Sequence, residues 1–268
     1  MFENKKLFIF DMDGTIYLGN RVFGFAIDFI KKLREHGKRV MFFTNNASHN
    51  PDFYVKKLER MGFEPSTEEI MTSGDVTIKF LKSHRAGKSV YLVGTDELMT
   101  QFENEGIKLI SDSEASAGAD ADIAITSFDT GLTYERLNNV CRMVRNGAEY
   151  LSTHPDYNCP TEDGFIPDSG AIAAFVTAST GVEPTYFGKP YVQTVEMISE
   201  YTGLSRDEMC VFGDRLYTDI AMGKLHGVTA TLVLTGETTE ADVASAKPEQ
   251  RPDYVFKSLY EVDKEMFG

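Results

Sequence analysis

The sequence predicts an α/β protein in which a second α/β unit interrupts a doubly wound parallel sheet. Short apolar runs suited to buried strands alternate with helical patterns near the start of the chain, and the same alternation returns after residue 184. Residues 79–183 have a strand–helix alternation of their own. Alternation of this kind builds parallel sheets with right-handed crossovers.

The N-terminal part is predicted to contain two strands and two helices. The apolar runs LFIF (7–10) and RVMFF (39–43) are typical of strands buried on both faces. Between them, apolar residues recur at the spacing of one helix face, at Ala26, Phe29, Ile30 and Leu33. A second helix is predicted from Pro51 to Gly62, with proline near its start.

The C-terminal part repeats this pattern. Val192, Val195 and Ile198 lie at helical spacing, and the apolar run MCVF (209–212) follows as a strand. TATLVL (229–234) and DYVF (253–256) predict two further strands, with a polar, acidic stretch between them.

The middle of the chain predicts the inserted unit. Its predicted strands are SVYLVG (89–94), DIAIT (122–126) and EYLST (149–153), and its predicted helices cover 96–106, 133–147 and 170–181. The simplest architecture is a discontinuous core domain, 1–78 with 184–268, and an inserted domain, 79–183.

Composition excludes several classes of protein. The net charge of −14 argues against nucleic-acid binding, which requires clustered Lys and Arg. No apolar run in the sequence approaches the ~18 residues of a membrane helix, and the N-terminus lacks the features of a signal peptide. The three cysteines form no CxxC pair. We therefore expect a cytoplasmic protein that binds neither nucleic acid nor membrane.

Polar residues follow several of the predicted strands. Asp11 follows LFIF, Thr44 and Asn45 follow RVMFF, and Asp214 follows MCVF and Gly213. In parallel α/β sheets, ligands bind beyond the carboxyl ends of the strands. We therefore expect these residues to meet at one rim, together with the loop that contains Lys189.

Asp11 and Asp13 lie two residues apart, so in an extended segment they point to the same side. Gly14 then lets the backbone turn away. A divalent cation, most simply Mg²⁺, would relieve the repulsion between carboxylates, and Asp214 is the natural additional ligand. Taken alone, the two aspartates are as compatible with a structural role, in a turn and a helix cap, as with a functional one.

Four segments resemble the signature motifs of the haloacid dehalogenase superfamily of phosphatases. They are, in order, DMDGT (11–15), FFTNN (42–46), GKP (188–190) and GDRLYTDI (213–220). The insertion between the second and third motifs, with its stretch STHPDYNCP, is similar to the NagD-like and 4-nitrophenylphosphatase-like enzymes. The resemblance implies a Rossmann-like core with an inserted α/β cap domain.

The resemblance implies that this is an enzyme, a Mg²⁺-dependent phosphatase. Asp11 would be the nucleophile that forms an aspartyl-phosphate, and Asp13 would be the general acid and base. Asp11, Asp214 and the main-chain carbonyl of Asp13 would bind Mg²⁺.

The remaining motif residues would surround the phosphoryl group. Thr44, the backbone of Asn45 and Lys189 would hold its oxygens. Asp219 would act on the metal through a water molecule or would orient Lys189. Alternatively, Asp219 would only cap the helix that begins at Ile220.

Substrate discrimination is expected from the inserted domain. The candidate substrate contacts are His154, Tyr157 and Asn158 in one loop, and the 165–170 loop with Asp168 and Ser169. Expected substrates are small phosphorylated metabolites: sugar phosphates, nucleoside monophosphates, pyridoxal phosphate or glycerol phosphates. The sequence does not choose among them, and it leaves a homodimer open.

Two alternatives to hydrolysis stay open. A phosphotransferase or mutase would use a second substrate in place of water, and a non-catalytic sensor would bind phosphorylated metabolites without turnover. Dehalogenation is disfavoured, because Asp13 and Asp214 would have no purpose in it.

Overall fold

The computed structural model describes residues 1–161 and 164–268, with Pro160 and Thr161 described by their backbone alone. The chain divides into two compact units. Met1–Thr44, Pro51–Met71 and Lys189–Gly268 form the core unit, and Asn45–Asn50 and Thr72–Gly188 form the insert unit. The assignment of domains to 1–78 with 184–268 and to 79–183 stays a prediction.

Strands and helices alternate along most of the chain. The strands are β1 Leu7–Phe10, β2 Tyr17–Leu18, β3 Arg21–Val22, β4 Arg39–Thr44, β5 Ile70–Thr72, β6 Ser89–Val93, β7 Lys108–Leu109, β8 Ile123–Thr126, β9 Glu149–Ser152, β10 Asn158–Thr161, β11 Gly164–Pro167, β12 Thr185–Tyr186, β13 Met209–Gly213, β14 Thr229–Val233 and β15 Tyr254–Phe256. The α-helices are α1 Gly24–Glu35, α2 Pro51–Arg60, α3 Ser73–His84, α4 Asp96–Asn104, α5 Asp112–Ser116, α6 Tyr134–Arg145, α7 Ser169–Thr180, α8 Val192–Thr202, α9 Ala221–His226, α10 Glu240–Ser245 and α11 Leu259–Phe267.

The sheet of the core unit has the strand order β15-β14-β13-β1-β4-β5. Strand β1 pairs in parallel with both β13 and β4, and Phe10 lies level with Phe212 and Phe42. The chain therefore winds outward from β1 in both directions, which is the doubly wound arrangement. The predicted α/β fold class is confirmed.

Aromatic side chains fix β1 against β13. Phe212 stacks on Phe8 with ring centroids 5.9 Å apart, and on Phe10 with centroids 5.1 Å apart. Phe29 of α1 meets Phe10 edge to face, at an interplanar angle of 86°. Burial of each ring contributes roughly 1.5–3 kcal/mol, so the rings stabilise the packing of the two strands that precede Asp11 and Asp214.

The insert unit has a parallel sheet of its own, in the order β12-β9-β8-β6-β7. Strands β10 and β11 form a separate antiparallel hairpin, with Cys159 opposite Ile166. Within the described residues, no helix has the length and apolar character needed to cross a membrane.

The hairpin corrects one expectation, because β10 begins at Asn158 and β11 contains residues 165–167, positions that the sequence presents as parts of two loops. Proline is rare in paired strands, and the prolines at 160 and 167 hid this pairing. Helix α3 was also missed. It begins with a reciprocal pair in which the Thr72 hydroxyl accepts from the Asp75 N–H and the Asp75 carboxylate accepts from the Thr72 N–H.

Candidate active site

Asp11 and Asp214 leave the same edge of the core sheet. Asp11 follows β1 directly, and Asp214 follows β13 directly. The two strands are parallel neighbours, and the Asp11 N–H continues their ladder by donating to the Phe212 carbonyl at 2.8 Å. Carboxyl ends of parallel strands meet at one edge, so the two carboxylates face one small volume.

Asp219 joins these two residues. It comes from a π-helical turn, Leu216–Ile220, and its side chain is fully buried. One oxygen from each of Asp11, Asp214 and Asp219 lies within 4.8 Å of the others. The Arg215 N–H donates to Asp219 Oδ2 at 3.2 Å, which helps to fix the third carboxylate.

The structure favours the interaction of Asp219 with Lys189 over a helix cap. Ile220 holds the N-cap position of α9, and no side chain in the described part of the chain caps this helix. Lys189 is 3 % exposed, and its Nζ lies 2.6 Å from Asp219 Oδ1 and 2.5 Å from Asp11 Oδ1. Burial alone would lower the pKa of Lys189, but the two carboxylates raise it above its ordinary value. The ammonium therefore stays charged.

One ammonium does not balance three acids. Burial raises the pKa of Asp11 to about 6, and Lys189 opposes that rise. Burial, together with the charges of Asp11 and Asp219, raises the pKa of Asp214 to about 7. Both shifts arise mainly because burial removes the solvation of the charged carboxylates, which nearby positive charge only partly offsets.

The donor set fits a hard divalent cation. Asp214 Oδ2 accepts the Glu237 N–H at 2.7 Å, whereas Asp214 Oδ1 is buried and has no hydrogen-bond partner among the described residues. A buried carboxylate oxygen without a partner is costly. Carboxylate oxygens are the ligands that Mg²⁺ prefers, so Asp11 and Asp214, with Asp219 beside them, suit Mg²⁺.

Asp13 stands apart from the three acids. Its side chain is exposed, and its Oδ1 accepts the Gly19 N–H at 3.4 Å. The next residue, Gly14, has φ +85°, and a Cβ there would lie 2.5 Å from Asp214 Cγ. Only glycine satisfies both conditions, so this turn brings the backbone beside Asp13 against Asp214.

Thr44 and Asn45 follow β4. Thr44 is half-buried at the end of the strand, in the core unit. Asn45 is buried in the insert unit, where its Nδ2 donates to Asp156 Oδ2 at 3.1 Å. Their predicted contacts with a phosphoryl group stay predictions.

The three candidate substrate contacts of the insert unit do not share one environment. His154 is fully buried, and its Nε2 lies 2.8 Å from Asp168 Oδ1. Tyr157 and Asn158 are exposed. Asp168 also caps α7 by accepting the Ser169 N–H at 2.6 Å. His154, Asp168 and Ser169 are thus part of a buried polar network, and a role of any of these residues in substrate binding stays a prediction.

Sequence reasoning missed the segment that follows β14. The Thr235 hydroxyl donates to the Gly14 carbonyl at 2.6 Å, and the Glu237 N–H holds Asp214 as described above. The available signal was position, because Thr235–Gly236 leaves a parallel strand at the same edge as Asp11 and Asp214.

Comparison with known proteins gives matches along nearly the whole chain. Residues 8–108 match the model of the haloacid dehalogenase-like hydrolase family, and residues 186–262 match a HAD-hydrolase-like model. A curated relative, the acid sugar phosphatase of Staphylococcus saprophyticus, is 34% identical over 264 residues, which are 98% of this chain and 99% of the relative.

Solved structures share the fold. The 4-nitrophenylphosphatase of Thermotoga maritima has a TM-score of 0.89 and 41% identity, over 97% of each chain. The glycerol phosphate phosphatase of Mycobacterium tuberculosis in complex with magnesium has a TM-score of 0.85 and 28% identity, over 96% of this chain and 76% of that one. The family resemblance predicted from the four motifs is therefore confirmed.

Proposed function

Because the chain belongs to the haloacid dehalogenase-like hydrolases, we propose that it is a Mg²⁺-dependent phosphatase of small phosphomonoesters. One observation carries this proposal. A buried Lys189 contacts both Asp11 and Asp219, beside an Asp214 oxygen that has no partner among the described residues. This arrangement suits a carboxylate nucleophile that meets a phosphoryl group and a metal ion in one place.

In the first step, an Asp11 carboxylate oxygen attacks phosphorus and the bond between phosphorus and the ester oxygen breaks. Lys189 holds Asp11 Oδ1 and so fixes the direction of attack. Asp13 gives its proton to the departing oxygen, which leaves as an alcohol. The products are an aspartyl-phosphate on Asp11 and an ionised Asp13.

In the second step, Asp13 takes a proton from a water molecule, which attacks phosphorus and displaces the Asp11 carboxylate. Inorganic phosphate leaves, and Asp11 and Asp13 return to their starting states. We assign Thr44 and Lys189 to the phosphoryl oxygens, as the family pattern implies. Bound Mg²⁺, held by Asp11, Asp214 and the Asp13 carbonyl, would neutralise charge on the phosphoryl oxygens.

The substrate class is proposed from the relatives. Proteins named as acid sugar, 4-nitrophenyl and glycerol phosphate phosphatases share this fold or sequence, and each name denotes a small phosphomonoester. We therefore propose sugar phosphates and glycerol phosphates as the first substrates to test.

Phosphate release from these esters and from 4-nitrophenyl phosphate, with Mg²⁺ or with a chelator, tests the proposal. We expect turnover that requires the metal and that Asp11→Asn abolishes, because an amide is a poor nucleophile. Asp28→Asn, in the exposed face of α1, is the matched control and should keep full activity. Turnover by Asp11→Asn, or undiminished turnover without divalent metal, would contradict the proposal.

A further inference from the structure

We infer that Thr235, Gly236 and Glu237, which follow β14, form a positioning segment that fixes the metal-binding Asp214 and the turn beside Asp13. The inference rests on the proposed function. None of the three residues is one of the acids Asp11, Asp214 and Asp219. The segment acts through its backbone N–H groups, the Thr235 hydroxyl and the lack of a side chain at Gly236.

The backbone of this segment selects which Asp214 oxygen is available. The Glu237 N–H donates to Asp214 Oδ2 at 2.7 Å, and the Thr238 N–H donates to the Asp214 carbonyl at 3.3 Å. The first contact holds one oxygen of the carboxylate and leaves Oδ1 for a cation, and the second fixes the main chain of Asp214. Groups that orient a metal ligand in this way commonly change metal affinity when altered.

Gly236 makes this approach of backbone and carboxylate possible. A Cβ at Gly236 would lie 2.5 Å from Asp214 Cγ and 2.8 Å from Asp214 Cβ. Real Cβ atoms do not approach other carbons so closely, so any side chain there would move the carboxylate or the segment. Gly236 is therefore required by its contact with Asp214.

Thr235 ties the same segment to the other half of the site. Its hydroxyl donates to the Gly14 carbonyl at 2.6 Å, and the Gly14 N–H donates to the Tyr17 carbonyl at 2.7 Å. Gly14 is the residue after Asp13, so the hydroxyl fixes the turn that presents the proposed acid and base. A displaced Asp13 would slow proton transfer more than it would weaken binding.

The Glu237 side chain contacts two residues that follow Asp214 in the chain. Its Oε2 lies 3.1 Å from Arg215 Nε and accepts the Tyr217 hydroxyl at 3.2 Å. These are partly exposed contacts, so each stabilises modestly.

Calorimetric titration with Mg²⁺ alone tests the link to Asp214. Gly236→Ala should bind Mg²⁺ about 10- to 100-fold more weakly than wild type, the usual effect of disturbing a group that orients a ligand. Gly24→Ala is the control, because a Cβ there would meet no atom of the described residues within 4 Å. Wild-type Mg²⁺ affinity in Gly236→Ala would overturn the inference.

Thr235→Val tests the link to Asp13. It is also the second test of the segment if Gly236→Ala does not fold. At saturating Mg²⁺, we expect kcat for 4-nitrophenyl phosphate to fall about tenfold with KM unchanged. Thr231→Val is the control, since the buried Thr231 hydroxyl has no hydrogen-bond partner among the described residues. A wild-type kcat in Thr235→Val would overturn the inferred link between Thr235 and Asp13. If the wild-type protein shows no turnover, the proposed function is refuted, and Mg²⁺ titration still decides the part of the inference that concerns Asp214.

Discussion

The Lys189 ammonium lies 2.6 Å from Asp219 Oδ1 in the core unit, and the two side chains are only 4% and 1% exposed. The same ammonium contacts Asp11 Oδ1. Lys189 thus neutralises a fixed buried acid and at the same time orients the proposed nucleophile. In the proposed mechanism, Asp219 would hold the ammonium in place while Asp11 carries the phosphoryl group as an acyl phosphate.

Replacement of Lys189 by methionine, which has a similar length, should leave Asp11 and Asp219 without their shared cation. Removing one partner of a buried ion pair typically costs 3–5 kcal/mol of unfolding free energy, and we expect a loss of about that size. Loss of a group that stabilises phosphoryl charge should also lower kcat by about 100-fold or more. Urea denaturation without metal and steady-state kinetics with Mg²⁺ measure the two effects.

Two comparisons make this result specific. Adding Asp219→Asn to Lys189→Met removes one uncompensated charge, so the double variant should regain part of the lost stability. Lys82→Met breaks the exposed pair with Glu105, which are 52% and 48% exposed, and should cost less than about 1 kcal/mol. If Lys189→Met is as stable as Lys82→Met, the buried ammonium is not a structural requirement.

The meeting of Asp11 and Asp214 could be predicted because parallel strands place their carboxyl ends at one edge. The predicted strands LFIF and MCVF are short, apolar and followed at once by acids, and the structure has β1 and β13 side by side. The role of Asp219 could not be chosen in advance. Its position in the sequence fitted a helix cap equally well. In the structure Asp219 lies inside the π-helical turn Leu216–Ile220, and α9 begins only at Ala221.

For two other features, the residue types themselves gave no signal in the sequence. His154 precedes a run of loop-forming residues, yet it is buried and pairs with Asp168, fourteen positions later. Such a pairing depends on tertiary structure that residue types do not encode locally. The segment after β14 acts through N–H groups, and every residue except proline has one. A lone glycine at position 236 therefore looked like an ordinary turn residue.

The aromatic stack under the site should dominate the stability of the core unit. Phe212 is fully buried and stacks on both Phe8 and Phe10. Phe212→Ala should lower the free energy of unfolding by about 3–5 kcal/mol, since it removes the ring and leaves a cavity. Urea denaturation measures this loss. Phe165→Ala, at a position 74% exposed, should change stability by less than about 0.5 kcal/mol. If Phe212→Ala and Phe165→Ala changed the free energy of unfolding equally, the aromatic stack would not be a stabilising element.

His154 and Asp168 form a buried pair in the insert unit, with side chains 1% and 8% exposed. Burial alone would lower the pKa of His154, but the hydrogen bond and charge of Asp168, with the charge of Asp156, raise it above the ordinary 6.5. A raised pKa means that the folded state binds the proton more tightly than the unfolded state. The pair therefore contributes its full stability below 6.5 and loses it as pH rises through the folded-state pKa.

Asp168→Asn should reverse this dependence. Without the carboxylate charge, burial dominates, so the pKa of His154 should fall below 6.5 and the remaining stability should increase as pH rises. Titration of the His154 ring signals by NMR measures the pKa, and urea denaturation at about pH 6 and about pH 9 measures the stability. Asp28→Asn, an exposed change in α1, should leave the His154 titration as in wild type. A pKa of His154 that stays above 6.5 in Asp168→Asn would mean that Asp168 is not the group that holds the proton.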